Sequence, residues 1–144
     1  MTSQSAKREE PTIGLPTARL ITTVMFATII AAGGWYAAAS LGRWGAETAR
    51  TGLIGGTLVG VIVLAGVLIM TPWVTRPVSA WMTLWLAGTV MRMLMTPIAA
   101  WLLYSATPRG SLAAEPLALS VALTYLATLF SEATVLALHV KRIT

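Results

Sequence analysis

Four long apolar runs divide this chain, and the short segments between them hold most of its charge. The runs extend from about Thr17 to Leu41, Gly52 to Met70, Val78 to Tyr104 and Pro116 to Val140. Each is close to the roughly 20 residues a helix needs to cross the hydrocarbon core. None alternates apolar and polar positions in the manner of a transmembrane barrel strand. The pattern predicts an all-α integral membrane protein, with four transmembrane helices in an antiparallel bundle and short turns between them.

The connections fit that division. Gly42 to Thr51 carries Arg43, Glu47 and Arg50; Thr71 to Pro77 brackets Trp73 and Arg76 between prolines; Ser105 to Glu115 contains Pro108, Arg109 and Gly110. Pro77 and Pro116 fall where a first-turn proline removes no helical hydrogen bond, and Glu115 suits the positive end of the fourth helix. His139, Lys141 and Arg142 suit its negative end. Residues 1–16, with Lys7, Arg8, Glu9, Glu10 and two prolines, read as a polar, poorly ordered tail. Residues 17–140 form the membrane domain and 141–144 a basic end. The first run starts after that tail and exceeds the about 7 to 15 apolar residues of a signal peptide, so it is read as a retained span.

Composition strengthens this picture and removes several functions. The 144 residues are 56% apolar and only 10% charged, against about 25% charged in soluble domains, and the mean hydropathy is +0.76. The net charge of +5 comes without a basic cluster interleaved with aromatics, so no nucleic-acid partner is expected. Lys7, Arg8, Arg19, Arg76, Lys141 and Arg142 fall on one side of the four spans, and Arg43, Arg50 and Arg109 on the other. That bias places both termini in the cytoplasm. Trp35, Tyr36, Trp44, Trp73, Trp81, Trp101 and Tyr104 lie near span ends, as an interfacial belt requires. The chain has no Cys and one His, so no metal site or cofactor is expected. With no paired carboxylates in the spans and no serine beside a base, the chain does not read as an enzyme.

Two ionisable residues sit inside the spans: Arg92 in the third and Glu132 in the fourth. Each costs about 2.5 to 3.5 kcal/mol at a helix centre, so neither is expected to face lipid alone. Glu132 is about 6 Å nearer the terminal side than Arg92, a gap that the arginine side chain can close. Steps of three and four from Arg92 give Gly88, Thr89, Met95, Thr96 and Ala99, whereas Leu84, Met91, Leu94, Ile98 and Leu102 form a bulky apolar stripe. The fourth helix groups Thr124, Tyr125, Thr128 and Glu132, with Ser131 adjacent. Two readings stand: an internal Arg92–Glu132 pair that fixes helix register, or charges facing a partner or an ion. In the second reading Thr89, Thr96, Thr124 and Thr128 are candidates for a polar path.

The second span carries Gly52, Gly56 and Gly60 at intervals of four, a stripe that lets another helix approach closely. Its partner is either the first helix, at Ala27, Ala31, Gly33 and Gly34, or another chain. Pro97 should kink or loosen the turn of the third helix that holds Met93. His139 reads as a helix-end residue rather than a proton carrier.

The run Ala87-Gly88-Thr89-Val90-Met91-Arg92-Met93-Leu94-Met95 places an arginine among small residues within an apolar helix. In Tyr125-Leu126-Ala127-Thr128-Leu129-Phe130-Ser131-Glu132 a tyrosine precedes a late glutamate. Together these segments resemble the bacterial F-type ATP synthase protein I (I chain) family. The resemblance covers the C-terminal half; the four-span size and polar N-terminal tail agree, and the first two spans carry no motif of the family. It implies a multi-pass protein of the bacterial inner membrane that helps assemble the rotor ring of c subunits. Arg92 would then engage a carboxylate of an unassembled c subunit, and the glycine stripe would offer a packing surface to the rotor's glycine-rich helix. A role in magnesium or calcium transport is the alternative the resemblance carries, and a small proton-coupled transporter or channel the alternative the polar stripes suggest. Besides lipid, the candidate partners are c subunits, other membrane subunits and a second copy of the chain.

Overall fold

A computed structural model describes residues 11–42, 44–71 and 75–142. Lys7, Arg8, Arg43 and Trp73, which entered the orientation and belt arguments, lie outside them. The described chain is an all-α bundle of α1 (Thr17–Leu41), α2 (Gly45–Met70), α3 (Val78–Ala106) and α4 (Ala114–Lys141). All four helices are long and apolar enough to cross a membrane, and the protein is a multi-pass membrane protein. Helices α1, α2 and α4 pack against one another most extensively, and α3 lies more loosely against α2 and α4.

The usual sorting of side chains by size is inverted. Phe26, Ile69, Met93, Leu94 and Phe130 point outward, as lipid-facing positions do. The interior is built from Val24, Val59 and Val63 together with Thr51, Ser120, Thr124 and Thr128. In lipid no hydrophobic force drives helices together, so small and weakly polar side chains that permit close approach take the interior.

Gly52, Gly56 and Gly60 are all buried, and their partner is α1. A methyl group at Gly56 would sit 2.6 Å from Ala32 Cβ, and one at Gly60 would sit 2.6 Å from Thr28 Cγ2. Gly52 lies under the indole of Trp35. The stripe on α1 is therefore Thr28, Ala32 and Trp35, in place of the expected Ala27, Ala31, Gly33 and Gly34. Gly33 and Gly34 face outward with open space around them. The buried α1 positions Leu20, Val24, Ala32 and Ala39 define one face at helical spacing, and the glycine pair lies off it.

Helix α2 begins at Gly45, seven residues before the expected Gly52. Apolarity marks where a span enters lipid, whereas the helix itself starts in the polar run with Glu47 in its first turn. Gly45 adopts a φ of +87°, the left-handed conformation that favours glycine. Helix α3 continues through Pro97 as one element.

Residues 11–16, read from sequence as tail, fold back onto the terminal end of the bundle. Thr12–Ile13 (β1) pairs antiparallel with Arg76–Pro77 (β2). Trp81 Nε1 donates to Ile13 O at 2.8 Å, and His139 Nε2 lies 3.1 Å from Gly14 O. Arg76 stacks 5.8 Å above the Trp81 ring. Trp81 is thus a buried anchor for this segment rather than a residue of an outward-facing belt. At the opposite end, Trp35 Nε1 donates to Thr48 O at 3.1 Å, and Ala113 N–H reaches Thr51 Oγ1 at 3.4 Å.

Candidate functional site

The two intramembrane charges meet. Arg92 Nη1 lies 2.7 Å from Glu132 Oε1, and Arg92 Nη2 lies 2.9 Å from Glu132 Oε2. The pair is buried, with Arg92 7% and Glu132 2% exposed, and it is the one salt bridge among the described residues. Parallel N–H···O bonds of this kind are the strongest arrangement of a guanidinium with a carboxylate. Each ion removes the cost that the other would carry alone in lipid.

The local sequence prepares the arginine. Its Nε donates to Gly88 O at 3.2 Å, one turn back along α3, which turns the guanidinium fork toward α4. Gly66 of α2 makes room for the stem: a methyl group there would lie 2.8 Å from Arg92 Cδ. Gly88 is covered by the Met70 side chain. Three of the five guanidinium N–H groups are engaged by these bonds.

A second tie lies beside the first. Tyr125 OH donates to Thr89 O at 3.0 Å, joining α4 to the backbone of α3. Arg92–Glu132 and Tyr125–Thr89 are polar cross-links on a helix that otherwise packs lightly.

The threonines of the expected polar path turn to their own helices. Thr89 Oγ1 donates to Trp85 O, Thr96 Oγ1 to Arg92 O and Thr128 Oγ1 to Thr124 O, at 2.8, 2.7 and 3.0 Å. Thr124 is buried where α4 meets Gly56 of α2. Of the small stripe around Arg92, Gly88 and Thr96 are buried with it, whereas Met95 points outward with Met91 and Leu94. Of the bulky stripe, Met91, Leu94, Ile98 and Leu102 face outward, whereas Leu84 is half-buried and lines the cavity beside the ion pair.

A cavity of about 30 Å³ lies on the terminal side of the ion pair, bordered by Arg92, Glu132, Thr71, Trp81, Trp85 and Leu15. It has the volume for one water. Trp85, whose buried Nε1 lacks a protein acceptor, is one of its lining residues. Leu15 of the folded-back segment lines the cavity, so that segment lies over the ion pair at this end of the bundle.

Sequence reading named Arg92, Glu132, Gly88 and Tyr125. It missed Gly66 and Met70, because Gly66 is out of register with Gly52, Gly56 and Gly60. That break in spacing is itself a signal, since it places Gly66 on a different face of α2, the one turned to α3. No group of three or more His, Asp or Glu side chains suited to a metal occurs among the described residues. Comparison of the chain with protein-family models, with curated proteins and with solved structures returns no match, so no relative's function bears on this site.

Proposed function

We propose that this protein is an accessory or assembly factor of a membrane complex, in which Arg92 is held ready by Glu132 to receive a carboxylate of a partner helix. The supporting observation is the bidentate Arg92–Glu132 pair on α3, the helix with the least packing. A partner carboxylate in lipid is as costly as Glu132 would be alone, so exchange moves that cost from the partner helix to Glu132 and leaves the total nearly unchanged. Small movements of α3 suffice for exchange, because few other contacts need to break.

The resemblance of the Arg92 and Glu132 segments to the F-type ATP synthase protein I family supplies the partner: an unassembled c subunit of the rotor ring, in a bacterial inner membrane. The glycine stripe takes no part, because Gly52, Gly56 and Gly60 are used by α1. Arg92→Gln is expected to lower recovery of assembled rotor ring from cells in which the wild-type protein is replaced. Undiminished recovery, with the variant present in the membrane at normal level, contradicts the reading. A cation-transport role has less support, since Thr89, Thr96 and Thr128 spend their hydroxyls on their own helices.

A further inference from the structure

Where the start of α1 meets the end of α4, a hollow of about 200 Å³ opens on the terminal side of the bundle. Arg19, in the first turn of α1, and Arg142, at the C-cap of α4, both line it, together with His139. Neither arginine has a carboxylate partner among the described residues. Those residues hold three carboxyl groups: Glu132 is taken by Arg92, and Glu47 and Glu115 lie in the first turns of α2 and α4, at the other end of the bundle. His139 directs its Nε2 hydrogen to Gly14 O, which can only accept. The positive end of α1 and the negative end of α4 meet here and offset one another, so the field of the hollow is set by its side chains.

The rest of the lining narrows the choice of anion. Thr22 Oγ1 donates back to Ala18 O and Arg19 O, whereas Thr23, half-buried on the same lining, has a hydroxyl with no partner among the described residues. One turn further into the span from Arg142 and His139, the lining becomes Leu138 and Val135, and Leu138 is exposed on the outer surface of the bundle. Two guanidinium groups and a hydroxyl select an anion rich in acceptor oxygens, and phosphate matches the paired donors of arginine. The apolar step beneath them favours a phosphate that carries hydrocarbon into the bilayer over a free ion in water.

We infer that this hollow binds one anionic glycerophospholipid, its phosphate held by Arg19 and Arg142 with Thr23 as a further donor, and its acyl part against Val135 and Leu138. The lipid supplies the negative charge that the described residues lack at this corner, and it joins the first helix of the bundle to the last. The Arg92–Glu132 pair takes no part.

The test uses the full chain in mild detergent, mixed with equal concentrations of phosphatidylglycerol and phosphatidylcholine and weighed intact by native mass spectrometry. Wild type is expected to carry one phospholipid, with phosphatidylglycerol preferred by about 25-fold, since each basic side chain at an anionic headgroup contributes about fivefold. Arg19→Gln and Arg142→Gln should each lower that preference about fivefold, and the two together should bring it close to one. Both side chains are exposed and make no bond among the described residues, so neither change needs repacking. Lys141→Gln removes the same charge beside Arg142 but off the lining, and should change the preference by no more than about twofold, the scale of a screened surface charge. An equal loss in Lys141→Gln would mean diffuse attraction by a basic end and overturns the site. So does wild type that carries no phospholipid or is indifferent to the headgroup. Inorganic phosphate at the concentration of the lipid should leave the bound phosphatidylglycerol in place; its displacement would assign the hollow to the free ion and overturn the lipid.

Discussion

Arg92 of α3 and Glu132 of α4 face each other through two parallel hydrogen bonds of 2.7 and 2.9 Å, forty residues apart in sequence. Both side chains are buried away from bulk water, so removing one leaves the other as an uncompensated charge. Arg92→Met or Glu132→Leu should each destabilise the protein by about 3–5 kcal/mol, whereas the two together should regain most of that loss. Unfolding in mixed micelles by denaturing detergent checks both. Additive losses in the double variant would show that the pair is not coupled.

The second cross-link predicts a smaller, local effect. Tyr125→Phe removes the hydroxyl that donates to Thr89 O and should cost about 0.5–1.5 kcal/mol. Because the lost bond ties α3 to α4, amide exchange should quicken in α3 around Thr89 and stay unchanged in α1. Faster exchange spread evenly over all four helices would contradict the loose attachment of α3.

The four spans and the all-α class were legible in the apolar runs, because lipid requires long uninterrupted segments and little else. The meeting of Arg92 and Glu132 was legible as one of two readings, since each charge needed a partner and the offset between them was within an arginine's reach. The face that α1 turns to the glycine stripe was not. Gly33 and Gly34 suggested close packing, but Leu20, Val24 and Ala32 set the buried face by spacing, and the glycines fell outside it. The folding back of residues 11–16 was hidden for another reason: Pro11, Gly14 and Pro16 carry no helical or strand pattern, and what holds the segment is Arg76–Pro77, Trp81 and His139, all far along the chain.

The glycine stripe gives a contrast within one pair of helices. Gly56→Leu would drive a side chain into Ala32 and should destabilise by at least the about 1–3 kcal/mol of an overpacked core. Gly33→Leu, with open space around that position, should be tolerated to within about 0.5 kcal/mol. The same detergent unfolding series reads both, and equal losses would contradict the assignment of the α1 face.

Trp81→Phe keeps the ring against Arg76 and removes the donor to Ile13 O. The cost should be about 1 kcal/mol, concentrated in the segment from Pro11 to Pro16. Limited proteolysis from the terminal side should cut this segment faster in the variant, with the spans left intact. Unchanged cleavage there would mean that Trp81 does not anchor it.

Exchange of Glu132 for a partner carboxylate is the central claim, and it makes variants at the two ends of one ion pair behave oppositely. Capture of rotor c subunits by the detergent-solubilised protein should fall at least tenfold in Arg92→Gln and rise in Glu132→Gln, where the guanidinium loses its charged competitor. Equal loss in both, or no change in either, would contradict the account and leave the pair as a lock between α3 and α4 alone.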